Sequence, residues 1–234
     1  MIIYGKNVAI EKLNSNNKIK KIYLSNKFSD DRILSLIQKK NIKTLVIDSR
    51  KLDKMCKGLH QGIILEVEDF KTYDLDEALN NINKEYPLIV ILDHLEDPHN
   101  FGAIIRSCEA FGVDAIIIPN NRSVDITSTA VKVSVGAIEK VKIVKVINLN
   151  NTIKKLKEYG YWIVGTDMEG ISYTEINYKA KIAIVIGNEG KGISRLVSEN
   201  CDYLAKIPMK GTVNSLNASV ACGIFLSEIN RSRG

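Results

Sequence analysis

Asp97-Pro98-His99-Asn100-Phe101-Gly102-Ala103-Ile104-Ile105-Arg106-Ser107 lies just past an unbroken apolar run, Leu88-Ile89-Val90-Ile91-Leu92. Such a run reads as a strand covered on both faces, the kind found in parallel sheets. The Asp-Pro pair ends it. Phe101, Ile104, Ile105, Cys108 and Phe111 then recur at helical spacing, and Gly112 supplies the stop. Strand, polar turn and helix in that order form the repeating unit of an open α/β sheet, whose ligands sit at the carboxyl ends of the strands. Gly102 and Arg106 are four apart and share a face. With Asn100 at the helix mouth, an amide and a guanidinium can bracket a phosphate or a ribose there.

The same alternation extends in both directions. From Pro87 onward, apolar runs predict strands at Leu88–Leu92, Ala115–Ile118, Val141–Val146, Tyr161–Val164, Ile182–Ile186 and Tyr203–Ile207. Helices fit between and after them at Asn100–Phe111, Thr127–Gly136, Asn151–Tyr159, Ile193–Glu199 and Ser215–Asn230. The pattern predicts a doubly wound parallel sheet over residues 87–234. Upstream, Lys20–Ser25, Thr44–Ile47 and Gly62–Val67 read as strands. Asp30–Lys40 reads as a helix, with Ser29 or Asp30 as its N-cap. Residues 1–70 therefore form a small α/β domain of their own. Residues 71–86, rich in Asn, Asp and Lys, form a linker that includes a short helix.

Charge divides the chain at the same place. Residues 1–70 carry 14 Lys and Arg against 8 Asp and Glu, whereas residues 71–234 carry 19 of each. A basic module joined to a neutral one suggests a polyanion-binding domain attached to a domain with a different task. Cys56, Cys108, Cys201 and Cys222 are dispersed without a CxxC pair and read as reduced thiols of a cytoplasmic protein. No apolar run approaches the length of a membrane span, so no membrane partner is expected. His94, His99, Asp93 and Asp97 fit no tetrahedral ligand spacing, and no metal is expected.

Two further blocks carry polar groups and glycines at strand-to-helix junctions. Gly187-Asn188-Glu189-Gly190-Lys191-Gly192 matches neither GxxxxGK[ST] nor GxGxxG. Its glycines still allow a sharp bend and a close approach. Glu189 repels phosphate and suits hydroxyls, amides or a cation. Asn214-Ser215-Leu216-Asn217 opens the last helix, and only one of these polar residues can be its N-cap, so at least one has another task.

Taken in order, Asn100-Phe101-Gly102-Ala103-Ile104-Ile105-Arg106-Ser107, Ile186-Gly187-Asn188-Glu189-Gly190-Lys191-Gly192-Ile193, and Ile207-Pro208-Met209 with Val213-Asn214-Ser215-Leu216-Asn217-Ala218-Ser219 resemble the three motifs of the SpoU (TrmH-type, SPOUT) RNA ribose 2′-O-methyltransferases. Tyr4-Gly5-Lys6-Asn7-Val8 and His60-Gln61-Gly62-Ile63 are similar to the L30e-like substrate-binding domain of rRNA members. Chief among these are the bacterial 23S rRNA guanosine 2′-O-methyltransferases. The resemblance implies a C-terminal trefoil knot, S-adenosylmethionine as cofactor, and a homodimer with active sites near the subunit interface. It also implies Arg106, Asn100, Glu189, Ser215 and Asn217 as catalytic residues. Thr166, Gly187, Gly190, Ile207, Met209, Ser215, Leu216 and Asn217 become the cofactor cradle. The implied activity is methyl transfer to a ribose 2′-hydroxyl of 23S rRNA. The alternatives are the same reaction on tRNA, or a non-catalytic RNA-binding or ribosome-assembly protein.

Overall fold

The computed structural model describes residues 1–15, 18–56, 58–212 and 215–234. They divide into two compact units, Met1–Phe70 with Ile126–Gly136, and Lys71–Asp125 with Ala137–Gly234.

The first unit runs β1 (Ile2–Tyr4), α1 (Lys6–Asn14), β2 (Ile19–Ser25), α2 (Asp31–Lys40), β3 (Thr44–Ile47), α3 (Ser49–Met55) and β4 (Ile63–Val67). Its sheet has the order β1-β4-β2-β3. β4 is antiparallel to both its neighbours, and β2 is parallel to β3. Ile63, Ile64 and Leu65 are fully buried, as a central strand covered on both sides requires. Asp30, rather than Ser29, caps α2: its carboxylate accepts from Ile33 N at 3.2 Å. Asn41 closes that helix in the left-handed region, at φ 50°. β1, α1 and α3 were not expected from the sequence. β1 has three residues, and α1 begins at Gly5 without a side-chain cap to announce it. The helix Ser128–Ser134, α6 in chain order, completes this unit.

The second unit opens with α4 (Leu75–Asn80), β5 (Leu88–Leu92), α5 (Pro98–Ala110) and β6 (Ala115–Pro119). It resumes after α6 with β7 (Lys142–Val146), α7 (Leu149–Glu158), β8 (Trp162–Ser172) and β9 (Ile182–Ile186), and ends with α8 (Arg195–Glu199), β10 (Tyr203–Lys206) and α9 (Ala218–Arg233). The six strands are all parallel, in the order β10-β8-β9-β5-β6-β7. Every residue of β5, β6 and β9 is buried, which explains why these strands read as unbroken apolar runs.

Four differences from the sequence reading have local causes. Residues 71–86 are a packed part of this unit: Tyr73 N donates to Ile143 O at 2.9 Å, and Ala78 and Leu79 join the core with Val144 and Val146. Their apolar side chains are spaced for one helix face among many polar neighbours. α5 begins earlier than expected, at Pro98, because Asp97 caps it through His99 N at 3.0 Å. β8 continues to Ser172, so Thr166 lies inside the strand instead of after it. Its pairing with β10 jumps from Leu204↔Gly165 to Ala205↔Ile171, and the intervening residues bow out of register. A Cβ on Gly170 would come within 2.2 Å of Leu204 O, so the bow requires glycine there. α9 starts at Ala218, capped by Asn217, and not at Ser215.

α9 packs along α5, where buried Cys222 meets buried Cys108, and burial raises the Cys108 pKa. At its far end Arg233 spans four carbonyls: Tyr178 O at 3.0 Å, Tyr86 O at 2.8 Å, Ala180 O at 3.1 Å and Pro87 O at 3.5 Å. Burial lowers its pKa, yet a guanidinium stays charged and gives each carbonyl a charged donor. Arg233→Ala strips these carbonyls of their partner at once. It is expected to lower unfolding stability by about 3 kcal/mol, read as a shift in the denaturant midpoint without a change in slope.

Candidate active site

β5 and β9 lie side by side, but the chain leaves them in opposite directions, β5 toward β6 and β9 toward β10. Loops that diverge from neighbouring strand ends leave a crevice, the usual ligand position in open α/β sheets. Asp93, at the end of β5, is 1% exposed. Its N–H donates to Ile186 O at 2.9 Å, one carboxylate oxygen accepts from Ser194 N at 2.6 Å, and the other lies 2.5 Å from His94 Nδ1. A buried carboxylate must have such partners. Here they tie the end of β5 to both ends of the glycine-rich loop.

That loop is a closed turn. Asn188 and Gly192 exchange backbone hydrogen bonds at 3.0 and 2.8 Å. The Asn188 side chain donates to His94 O at 3.0 Å and accepts from Gly190 N at 3.0 Å. Gly187 packs directly on the far limb of the turn, where a Cβ would lie 2.2 Å from Gly192 C. Gly192 itself has φ +66°, the left-handed region glycine tolerates.

A polar chain runs from this loop into the last helix. Asn100 Nδ2 donates to Glu189 Oε1, and Asn217 Nδ2 donates to Asn100 Oδ1 at 2.9 Å. Asn217 Oδ1 accepts from Ser219 N at 3.0 Å and Val220 N at 3.4 Å, so the same residue caps α9. The cap and the extra task expected at this junction fall to one side chain. Val213 and Asn214, which belong to the same motif, lie outside the described residues.

A cleft of about 1060 Å³ opens between the bowed part of β8, the glycine-rich loop, the segment after β10 and the start of α9. Thr166, Gly187, Gly190, Ile207, Met209, Ser215 and Leu216 all line it, as the sequence reading expected of a cofactor cradle. Glu189 lines it too, whereas Asn217 and Asn100 stand behind Glu189 through the polar chain. The sequence reading missed Asp167, Glu169, Lys206 and Phe225, which also face the cleft. Asp167 and Glu169 lie on the strand bow and Phe225 within α9, away from any motif, while Lys206 ends β10 one residue before the Ile207-Pro208-Met209 motif. Apolar Ile207, Met209, Leu216 and Phe225 beside carboxylates and exposed backbone suit a ligand with a planar apolar body, hydroxyls and positive charge.

Arg106 stands apart. It is exposed on α5, six residues beyond Asn100, which places it about 9 Å along the axis and a third of a turn around. It does not line the cleft, and it forms no hydrogen bond or ion pair with another described residue. Arg106 is thus set apart from Asn100, whose amide is engaged by Glu189 and Asn217. Among the described residues no group of three or more His, Cys, Asp or Glu is arranged to hold a metal. Asp97 instead caps α5, and Asp93 serves the loop.

Residues 87–227 match the SpoU rRNA Methylase family, and residues 2–73 match a family described as RNA 2′-O ribose methyltransferase substrate binding. A Bacillus subtilis protein named as a TrmH family tRNA/rRNA methyltransferase, YacO, is 40% identical over 99% of this chain and 95% of its own length. A Staphylococcus epidermidis protein with the same family name is 40% identical over 100% of this chain and 96% of its own. The fold matches that of the SpoU methyltransferase AviRb from Streptomyces viridochromogenes in complex with AdoMet, with a TM-score of 0.82 at 22% identity over 100% of this chain and 90% of that one. The chain belongs to the SpoU methylase family, and that family uses S-adenosylmethionine. The cleft described above, with an apolar floor, carboxylates and glycine-exposed backbone, fits this cofactor. Gly187→Ala forces a methyl group into the far limb of the turn, an overpacking of about 1–3 kcal/mol. It is expected to weaken S-adenosylmethionine binding roughly ten- to hundredfold by titration calorimetry.

Proposed function

We propose that this SpoU family chain transfers the methyl group of S-adenosylmethionine to a ribose 2′-hydroxyl, and that its target is a guanosine of 23S ribosomal RNA. The observation that carries this reading is the Glu189–Asn100–Asn217 chain set against the wall of the cofactor cleft. It fixes the Glu189 carboxylate at the cleft wall and braces it with two amides from behind. The basic first unit, which matches a substrate-binding family of RNA 2′-O ribose methyltransferases, supports both RNA and the 2′-position. Ribosomal RNA is favoured by that same unit. An rRNA methyltransferase from Sinorhizobium meliloti covers 98% of this chain at 25% identity and a TM-score of 0.79. A TrmH/SpoU tRNA modifying enzyme from A. aeolicus, 34% identical with a TM-score of 0.59, covers 64%.

In this proposal Thr166, Gly187, Gly190, Ile207, Met209, Ser215 and Leu216 hold the cofactor, which supplies an electrophilic methyl group, and Asn217 braces the cradle from behind. The protein then has to position the ribose and ease loss of the hydroxyl proton. Glu189, braced by Asn100 and Asn217, orients the ribose, while Ser215 holds the target nucleotide against the cleft. The proposed role of Arg106 is to pair with the target phosphate and stabilise the 2′-oxygen as its proton passes to solvent. Since it does not reach the cleft of its own chain, we assign it to the cleft of a second copy in a homodimer. Exposed Val220 on α9, the helix packed along α5, offers apolar surface for that contact. The loops about the cleft are proposed to thread as a trefoil knot, as the family likeness of this unit implies. No helix of the described residues is long and apolar enough to cross a membrane, and the proposed workplace is the cytoplasm, where rRNA and tRNA are found.

The test is methyl transfer from labelled S-adenosylmethionine to unmodified 23S rRNA and to unmodified tRNA, with the ribose position mapped. Label on an rRNA guanosine 2′-oxygen is expected. Label on tRNA alone would overturn the substrate and keep the reaction. A protein that binds RNA but neither binds the cofactor nor transfers label would be a binding protein instead. Arg106→Ala is expected to lower kcat about a hundredfold with cofactor affinity unchanged. Arg106→Lys should fall short of the native enzyme because it lacks the planar fork.

A further inference from the structure

The first unit holds a pocket of its own, about 310 Å³ in volume, at the end of β2, the start of β4 and the N-termini of α1 and α3. That is near the lower bound of about 300 Å³ for small-ligand pockets. Lys6, Lys27, Phe28, Ser49, His60 and Gln61 line it together with Ser25, Ser29 and Gly62. Its floor is held in a defined shape. Gln61 and Gly62 take consecutive positive φ angles, 51° and 81°, in a turn closed by Ile63 N to His60 O at 3.0 Å. A non-glycine residue at φ 51° is a strained choice that the surroundings must maintain. His60 Nδ1 accepts from Gly62 N at 2.9 Å, so its proton sits on Nε2, which donates to Asp53. Gln61 Oε1 accepts from Lys6 N at 2.9 Å, the first N–H of α1, leaving the Gln61 amide N–H groups for another partner.

The charges about this pocket are unequal in a useful way. Asp30 is engaged by Lys6 at 2.9 Å and by Ile33 N, Asp48 by Arg50, and Asp53 by His60. The Lys27 side chain is exposed and has no ion-pair partner within 4 Å among the described residues; Asp48 is near enough to feel its charge without bonding to it. Beside it the Phe28 ring stands against Gly62, where a Cβ would come within 3.0 Å of the ring, with Lys6 Nζ 5.4 Å from the ring centroid. Gly5 gives α1 no side-chain cap of its own, and beyond Lys6 N, which Gln61 takes, the first turn has further backbone donors. An uncommitted ammonium, backbone and amide donors, serine hydroxyls and an aromatic face in one small pocket match a phosphate with an attached flat ring.

We infer that this pocket receives one unpaired nucleotide of the RNA substrate, its phosphate at Lys27 and the N-terminus of α1 and its base on Phe28. The inference rests on the RNA-modifying function proposed above and adds where the first unit grips its substrate. Unpaired bases are recognised by stacking on aromatic side chains, with hydrogen bonds to their edges, and Gln61 and the serines supply such groups. The occupant is a nucleotide within a chain. A free nucleotide would meet the same groups with no neighbouring strand for the basic surface of this unit.

The full-length protein is titrated with an unmodified 23S rRNA transcript over a range of salt concentrations, alongside Lys27→Ala and Phe28→Leu, with S-adenosylmethionine affinity and thermal midpoint measured on each. Lys27→Ala is expected to bind the transcript about tenfold more weakly and to reduce the salt slope by roughly 0.7, one single-strand phosphate contact. Phe28→Leu is expected to lose about tenfold through the missing stack, with the salt slope unchanged. Cofactor affinity should be unaltered in both. Native RNA affinity in a folded Lys27→Ala protein would overturn the pocket, and this variant decides alone should Phe28→Leu not fold. Occupation of the pocket by inorganic phosphate or adenosine monophosphate, with RNA binding undiminished, would overturn it as well. A native protein that bound no RNA would instead remove the function on which the inference rests.

Discussion

The buried carboxylate of Asp93 is the constraint on which the second unit's chemistry depends. It sits where the chain leaves β5 in one direction while leaving β9 in the other, and it holds the two departures together through Ser194 N and the His94 ring. Without it, the glycine-rich loop would keep its own Asn188–Gly192 ladder, the Asn188 bond to His94 O and the Glu189 bond to Asn100, but lose its tie at Ser194. Glu189, Asn100 and Asn217 would then share a looser geometry. A carboxylate at 1% exposure is stable only with its acceptors filled. The need to satisfy Asp93 and the need to shape the cleft are therefore met by the same bonds.

The two units divide the work by charge and by shape. The first has the positive excess and a small pocket around Lys27 and Phe28, whereas the second is balanced in charge and has the large cleft. A polyanion is best held by a basic surface that also offers an aromatic face. A cofactor with a positive centre is best held where carboxylates such as Asp167 and Glu169 stand near apolar side chains. One electrostatic environment would serve neither ligand well.

Much of this architecture was legible because burial writes directly into sequence. β5, β6 and β9 are covered on both faces, so Leu88–Leu92, Ala115–Ile118 and Ile182–Ile186 could hardly be read otherwise. The cradle residues came from the likeness of three ordered motifs, and the structure places Gly187, Ile207 and Met209 beside one cleft at strand ends. What could not be read depends on long-range partners. Glu189 meets Asn100 across 89 residues and Asn217 meets Asn100 across 117, and no local pattern encodes either. The bow in β8 was hidden because its register shift belongs to the pairing with β10. Arg106 was grouped with Asn100 on proximity in sequence, yet helical geometry turns the two apart.

Asn217 both caps α9 and completes the chain to Asn100 and Glu189. Forming the last helix and finishing the wall of the cleft are thus one event. Along the chain, the cleft groups of β8 and the glycine-rich loop precede those of α9, and until α9 forms the cradle is open on one side. Wherever α9 frays, the same loss of one cap unties Asn100 and Glu189, so order in the helix and order in the cleft wall rise and fall together.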